Sequence, residues 1–355
     1  MRIGLVCPYS LTIPGGVQGQ VLGLARALRD LGHPTQVLGP CDGPPPEVGV
    51  TALGNSVPAA ANGSVAPLAP DPSAQLRTIR ALRDEAFDVL HLHEPLAPGP
   101  TMTSLLFKNS PMIGTFHAAG ESAAYKYASK PLRWLMNRLD LRCAVSLDAI
   151  KLAQGYLGGE YTLVFNGIEV SRHAEAEPWP TDGPTILFVG RHEPRKGLDV
   201  LLEAMQSLPT NTQLWIAGNG PVTAELQETY ADDERLHWLG FISDREKLGR
   251  LRGADVLCAP SIGGESFGVV LLEGMSARTA VVAGDIDGYR NVATNGSDAL
   301  LAPPGDAGAL AEALTTVITD EGRRAELVTA GIETAERYDM VRLAELYVDL
   351  YQRIA

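Results

Sequence analysis

Short apolar runs alternate along the chain with longer stretches in which hydrophobic residues recur every three or four positions, and glycines punctuate most junctions. Arg2-Ile3-Gly4-Leu5-Val6-Cys7 is the first such run and predicts a parallel strand covered on both faces. After the turn Pro14-Gly15-Gly16-Val17-Gln18, the residues Val21, Leu24, Ala25 and Leu28 line one face of a helix that ends by Gly32, and Thr35–Gly39 is the next strand. Strand, glycine turn, helix and strand in that order make half of a nucleotide fold. Gly15-Gly16-x-x-Gly19 is not the G-x-G-x-x-G dinucleotide fingerprint; its physical use is to let backbone N–H groups approach a ligand with no Cβ in the way.

Residues 40–72 are rich in Pro, Gly and Ala and read as loops around a short strand or two. Residues 73–86 predict a helix on which Arg77, Arg80 and Arg83 form a solvated face. The strand over 88–95 ends in polar residues; on it His91 and His93 share a face only with each other, which disfavours a metal site with Glu94. The strand over 111–117 carries His117 at its carboxyl end, where open α/β sheets bind ligands. Between Tyr125 and Arg142, basic residues mix with Tyr127, Leu132, Trp134 and Leu135, the pattern of a membrane-surface contact or of an ordinary helix with solvated charges. Strands at 144–146 and 161–167 complete a first domain over 1–170.

Residues 171–184 have no apolar periodicity and contain three prolines, so they read as a linker. The alternation restarts over 185–340 with strands at Thr185–Val189, 214–217, Leu236–Gly240, 254–260 and Ala280–Gly284; Asp285-Ile286-Asp287 reads as a strand-end turn. The last segment, 341–355, is an amphipathic helix whose stripe of Leu343, Leu346, Tyr347, Leu350 and Tyr351 is expected to pack back on the first domain.

Chemistry concentrates in Gly263-Gly264-Glu265-Ser266-Phe267-Gly268-Val269-Val270-Leu271-Leu272-Glu273, where a carboxylate stands on each side of an apolar run behind a glycine turn. A helix opening near Phe267 would offer unpaired N–H groups and a favourable dipole, a phosphate seat. If the whole interval is helical, Glu265 and Glu273 stand on the order of 12 Å apart, one for each end of a long ligand. Arg191 and Lys196, following the strand that ends at Val189, can neutralise a diphosphate. Breaking a sugar–diphosphate bond builds charge on the leaving group, so fixed cations there lower the barrier.

Length and charge add limits. The 355 residues favour two domains, each with its own core. No apolar run approaches the roughly 18 residues needed to span a bilayer, and Pro8 and Tyr9 interrupt the amino-terminal run before a signal sequence is complete, which makes it the first strand of a cytoplasmic protein. Cys7, Cys41, Cys143 and Cys258 are scattered and read as buried thiols. Of the net charge of −13, residues 1–150 carry 12 Lys/Arg against 11 Asp/Glu, and residues 151–355 carry 17 against 31. That balance argues against nucleic acid as a partner and leaves room for a local anionic contact on the first half.

These motifs resemble retaining glycosyltransferases of family 4 with the GT-B architecture, and more closely the phosphatidylinositol mannosyltransferases of actinobacteria. The likeness covers nearly the whole chain and is most specific at 1–18, around His93-Glu94-Pro95 and Thr115-Phe116-His117, at Gly190-Arg191 through Lys196-Gly197, and at the Glu265-x7-Glu273 pair. It implies two Rossmann-like, doubly wound α/β domains facing across a cleft, an acceptor domain at 1–170 and a nucleotide-sugar domain at 185–340. It further implies that Glu265 contacts the donor sugar, Glu273 the ribose, and Arg191 and Lys196 the diphosphate. Ser266, Phe267 and Gly268 complete the donor loop, Gly16 approaches the phosphates, and His117 holds the sugar. Retention then proceeds by same-face attack in which the leaving phosphate helps take the acceptor proton.

The donor implied is GDP-mannose, with no motif indicating Mg²⁺, and the acceptor is a phosphatidylinositol-type lipid at the inner face of the cell membrane, held by Tyr9 and Lys126. The first domain would touch an anionic membrane surface. The relatives carry Asp, Asn and Lys where this chain has Thr12-Ile13, Leu96 and Glu121-Ser122, and a more basic helix around Arg77, Arg80 and Arg83. A second reading is therefore a UDP-sugar passed to another lipid or a soluble polyol. A nucleotide-binding protein without turnover is disfavoured by the intact Arg191, Lys196, Glu265, Glu273 and His117, and an NAD-dependent oxidoreductase by the missing fingerprint.

Overall fold

A computed structural model describes residues 1–61, 64–118 and 129–355. Glu121, Ser122, Tyr125, Lys126 and Tyr127 lie outside the described residues. The chain divides into two units, Met1–Gly167 together with Met340–Ala355, and Ile168–Asp339.

In the first unit the unbroken apolar runs become central strands. β1 (Ile3–Val6), β2 (Thr35–Gly39), β3 (Val50–Ala52), β4 (Val57–Ala61), β5 (Ser64–Leu68), β6 (Val89–His93), β7 (Met112–Phe116), β8 (Leu141–Ala144) and β9 (Thr162–Leu163) follow in sequence. Seven form a parallel sheet in the order β3-β2-β1-β6-β7-β8-β9. β1, β6 and β7 are buried along their whole length, which is why their sequences do not alternate. Residues 40–72 hold three strands rather than one or two. β4 and β5 pair with each other antiparallel, from Val57↔Leu68 to Ala61↔Ser64, and their alanines and prolines lack the branched pattern that marks a central strand. The strand read at 144–146 lies at Leu141–Ala144; Arg142 masks it in the sequence, and its guanidinium is drawn off to Met136 O and the Asn137 side chain.

The helix Gly16–Asp30 buries Val21, Leu24, Ala25 and Leu28 against β1. The terminal helix Met340–Gln352 adds Leu343, Ala344, Tyr347, Leu350 and Tyr351 to the same core, so the end of the chain belongs to the unit that begins it. The arginine face of the helix Pro72–Glu85 is not uniformly solvated: Arg77 donates to Leu53 O at 2.6 Å and Arg83 lies over the Phe107 ring, while Arg80 pairs in the open with Asp84.

The second unit repeats the plan with β10 (Thr185–Val189), β11 (Gln213–Ala217), β12 (Leu236–Gly240), β13 (Val256–Ala259), β14 (Ala280–Gly284) and β15 (Leu300–Ala302), parallel in the order β12-β11-β10-β13-β14-β15. Residues 171–184 belong to this unit instead of standing apart from it. Val170–Ala174 is a short helix with His173 buried, the Trp179 N–H bonds Gly249 O at 2.8 Å, and the Arg250 guanidinium stacks 4.8 Å from the Trp179 ring. Anchors of that kind at isolated positions leave no periodic trace. The chain passes between units at 167/168 and 339/340.

In each sheet the winding direction reverses once, between β1 and β6 and between β10 and β13. The crevices outside the carboxyl ends of those strand pairs are where such sheets take ligands.

Candidate active site

In the second unit, the loop after β10 and the loop after β13 are packed at backbone contact. Ile262 N–H donates to Arg195 O at 2.9 Å, and a Cβ on Gly197, whose φ is +66°, would fall 2.2 Å from Pro260 O. Only glycine fits there, and the packing brings cations from one loop to a carboxylate from the other. Lys196 Nζ donates to Glu265 Oε1 at 2.5 Å and Arg195 Nη1 donates to the same oxygen at 3.0 Å. Behind them Glu193, with its side chain 8% exposed, holds Arg195 through Oε2 at 2.9 Å and Arg191 through Oε1 at 3.0 Å. Arg191, Lys196 and Glu265 thus belong to one ion-pair network at the switch point, joined by Arg195 and Glu193. Arg195 stood beside Lys196 in the sequence, but the charge of a single loop arginine does not say which carboxylate it meets.

The helix behind Glu265 opens later than Phe267. It spans Val269–Ser276, with Gly268 at φ +89° before it, so 265–268 are not helical and the 12 Å helical separation of the glutamates does not apply. The positive φ of Gly264 and Gly268 is what turns the chain off the helix axis. No side chain caps the start of this helix. Phe267 is buried edge-on to Tyr338, and Ser266 O accepts from Asn291 Nδ2. Glu273 lies on the second turn and has its own cation, Lys247, at 2.9 Å; the negative charge of Glu273 raises the lysine's pKa. Lys247 comes from the helix Asp244–Gly253, and no local motif marks it.

In the first unit, Tyr9, Glu94 and His117 follow β1, β6 and β7. Glu94 Oε1 accepts the backbone N–H of His117 at 2.7 Å and of Ala118 at 2.6 Å, which fixes the start of the loop after β7. Glu94 itself is in the left-handed region at φ +50°, a strained conformation for glutamate of the kind that clusters at functional sites. His117 Nε2 meets His93 Nδ1 at 3.0 Å. Tyr9 pairs through its backbone with Leu68; burial and then the nearby Glu94 charge push its hydroxyl pKa up. A Cβ on Gly16 would meet nothing within 4 Å, so the first turn of its helix is open to approach.

His91 and His93 share a face, their rings stacked at 4.2 Å. His91 bonds Tyr351 and Thr115, both at 2.7 Å. Among the described residues no group of three or more His, Cys, Asp or Glu could hold a metal ion. Burial lowers His91 to about 3, His117 to about 4, and His93 well below its ordinary value. All three rings are neutral at pH 7. In the unfolded chain they take up protons below about pH 6.5 while the folded chain does not, so this stability is present above 6.5 and is lost as pH falls towards 4. We expect the unfolding free energy to drop by roughly 4–6 kcal/mol between pH 7 and pH 5, at about 1.4 kcal/mol per ring and pH unit. Urea unfolding at both pH values checks this, and an unchanged free energy would contradict three neutral buried rings.

Residues 14–172 match glycosyltransferase family 4, and residues 170–334 match the glycosyl transferases group 1. A Mycobacterium leprae protein named phosphatidyl-myo-inositol mannosyltransferase is 40% identical over 100% of this chain and 97% of its own. A protein of the same name from Propionibacterium freudenreichii subsp. shermanii is 34% identical over 83% of this chain and 80% of its own. Among solved structures, HepE of Anabaena in complex with UDP and glucose superposes with a TM-score of 0.75 at 18% identity, covering 99% of this chain and 100% of that one. Sucrose-phosphate synthase from Thermosynechococcus elongatus does so at 0.76 and 21%, covering 99% and 98%. At those identities the likeness is one of fold, the two-domain GT-B architecture. Both halves match glycosyltransferase families and the likeness to the curated relatives runs end to end, so this is a glycosyltransferase, and the chain belongs to the phosphatidyl-myo-inositol mannosyltransferase family.

Proposed function

We propose that the protein transfers mannose from GDP-mannose to a phosphatidylinositol-type lipid at the cytoplasmic membrane face, with retention of anomeric configuration. The observation that carries this reading is the convergence of Lys196 and Arg195 on one carboxylate oxygen of Glu265, at the switch point of the second unit. A sugar diphosphate needs cations for its phosphates and an acceptor for its hydroxyls at adjoining positions, and this cluster has both. Arg191 and Lys196 then take the diphosphate, Glu265 the sugar hydroxyls and Glu273 the ribose, with Ser266, Phe267 and Gly268 shaping the loop. In the reaction the bond from the sugar C1 to the phosphate oxygen breaks, a bond from C1 to the acceptor oxygen forms, and the acceptor proton ends on the departing diphosphate. The fixed cations stabilise the charge that the leaving group gains. Gly16, His117 and Tyr9 keep the phosphate, sugar and acceptor roles that family resemblance gives them.

The second reading, a UDP-sugar donor, draws on the HepE structure with UDP and glucose and on the altered acceptor residues, among them Leu96, which is buried. No described helix is long and apolar enough to cross a membrane, and we assign any membrane contact to the surface of the first unit. The deciding experiment offers GDP-, UDP- and ADP-sugars together with phosphatidylinositol in anionic vesicles. Release of GDP with mannosylated lipid is expected, at a rate that falls with added salt. Release of UDP would replace the first reading by the second, and no release from any donor would remove both. A rate indifferent to salt would remove the electrostatic surface contact.

A further inference from the structure

The cation cluster contains two carboxylates held in different ways. Glu193 is buried to 8% side-chain exposure and uses both oxygens, one on Arg191 and one on Arg195. Glu265 has a side chain 16% exposed, and both of its cations meet a single oxygen, Oε1. It stands on a non-helical segment between Gly264 and Gly268, both at positive φ. Glu193 is built into the loop; Glu265 is a counter-ion placed where an anion from outside would bind.

We propose that Glu265 occupies the diphosphate's own seat and must yield it, and that this exchange makes the protein select a nucleotide sugar over the bare nucleoside diphosphate. The inference rests on the donor-site reading above. A phosphate oxygen drawing hydrogen bonds from Lys196 Nζ and Arg195 Nη1 needs the position held by Glu265 Oε1, since both nitrogens point to it within 3.0 Å. Two anions cannot share that point. When a sugar is attached, the displaced carboxylate accepts hydrogen bonds from its hydroxyls and the exchange is compensated. When the diphosphate arrives without a sugar, or is left without one after transfer, Glu265 has no hydroxyls to turn to. It then competes for Lys196 and Arg195, which weakens the product's hold and favours its release.

The test is calorimetric titration of GDP, UDP and GDP-mannose, without acceptor, into the full-length protein and its Glu265→Gln variant. Gln keeps the shape and removes the charge, so the fold is retained, and a melting temperature within a few degrees of wild type verifies it. We expect GDP to bind the variant about tenfold tighter, a change in the range of one charge-assisted hydrogen bond. GDP-mannose should gain less or lose affinity, so the preference for sugar nucleotide over GDP shrinks. In the double variant Glu265→Gln/Lys196→Met the gain should vanish. GDP binding that is unchanged or weaker in Glu265→Gln, or a gain that survives loss of Lys196, overturns the exchange. If UDP is the nucleotide that binds, the same comparisons are made with it. If neither GDP nor UDP binds any form, the donor-site reading itself has failed, a result distinct from a wild type that binds and a variant that does not improve.

Discussion

Glu265→Ala is expected to lower transfer by at least about a thousandfold while the protein stays folded. The carboxylate is the acceptor assigned to the sugar hydroxyls, and alanine leaves Lys196 and Arg195 with no partner that moves with the sugar. The expected fall is in kcat more than in KM, because the contact matters most as the sugar separates from the phosphate. Stability should change little. The ion pairs of Glu265 lie in a partly exposed loop outside the sheet, where their loss costs about 1–2 kcal/mol and shifts the melting temperature by a few degrees. Initial rates with a nucleotide-sugar donor, alongside a melting curve, measure both. Near-normal turnover in a folded variant would take Glu265 out of the site.

Gly288→Ala should be almost as damaging, although this residue contacts no ligand in the proposed mechanism. A Cβ there would lie 2.0 Å from Glu265 O and 2.6 Å from its carbonyl carbon. Backbone cannot rotate away as a flexible side chain can, so the strand of loop carrying Glu265 has to shift. A displacement of about 1 Å in a positioned catalytic group costs on the order of a hundredfold in rate. We expect kcat/KM to fall by about that factor, with a stability loss of roughly 1–3 kcal/mol from overpacking. The adjoining variant Asp287→Ala, on an exposed side chain with a surface ion pair, should stay within a few tenths of a kcal/mol of wild type and serves as the control. Activity preserved in Gly288→Ala would mean that the Glu265 loop tolerates movement.

Much of this is legible in the sequence. β1, β10 and β14 stand where their apolar runs put them, because a strand buried on both faces writes its limits in consecutive hydrophobic residues. The terminal helix was equally plain from its stripe. What the sequence hid was of two kinds. The hairpin β4–β5 and the strand holding Arg142 break the apolar pattern, so propensity is silent where pairing decides. The partners Arg195, Glu193 and Lys247 are ordinary charged residues in any local window, and only the meeting of two loops or of two helices picks them out. Glu94 shows the same limit: the sequence marks it as part of the family likeness but not what it holds, and in the fold it is a buried carboxylate with two backbone donors and a strained φ.

The two places where the chain changes units lie side by side. Ile168 donates its N–H to Tyr338 O at 2.9 Å, and Gln20 bonds both the N–H and the carbonyl of Gly167. The second unit is therefore an uninterrupted length of chain inserted into a first unit that is split in sequence. During synthesis this reverses the order of maturation. The inserted unit has every residue of its core as soon as Asp339 has left the ribosome, whereas the unit begun first still lacks Leu343, Tyr347 and Tyr351 at that point. The nascent chain carries an unfinished amino-terminal core for as long as the inserted unit is being made, and the helix Met340–Gln352 is the piece that closes it.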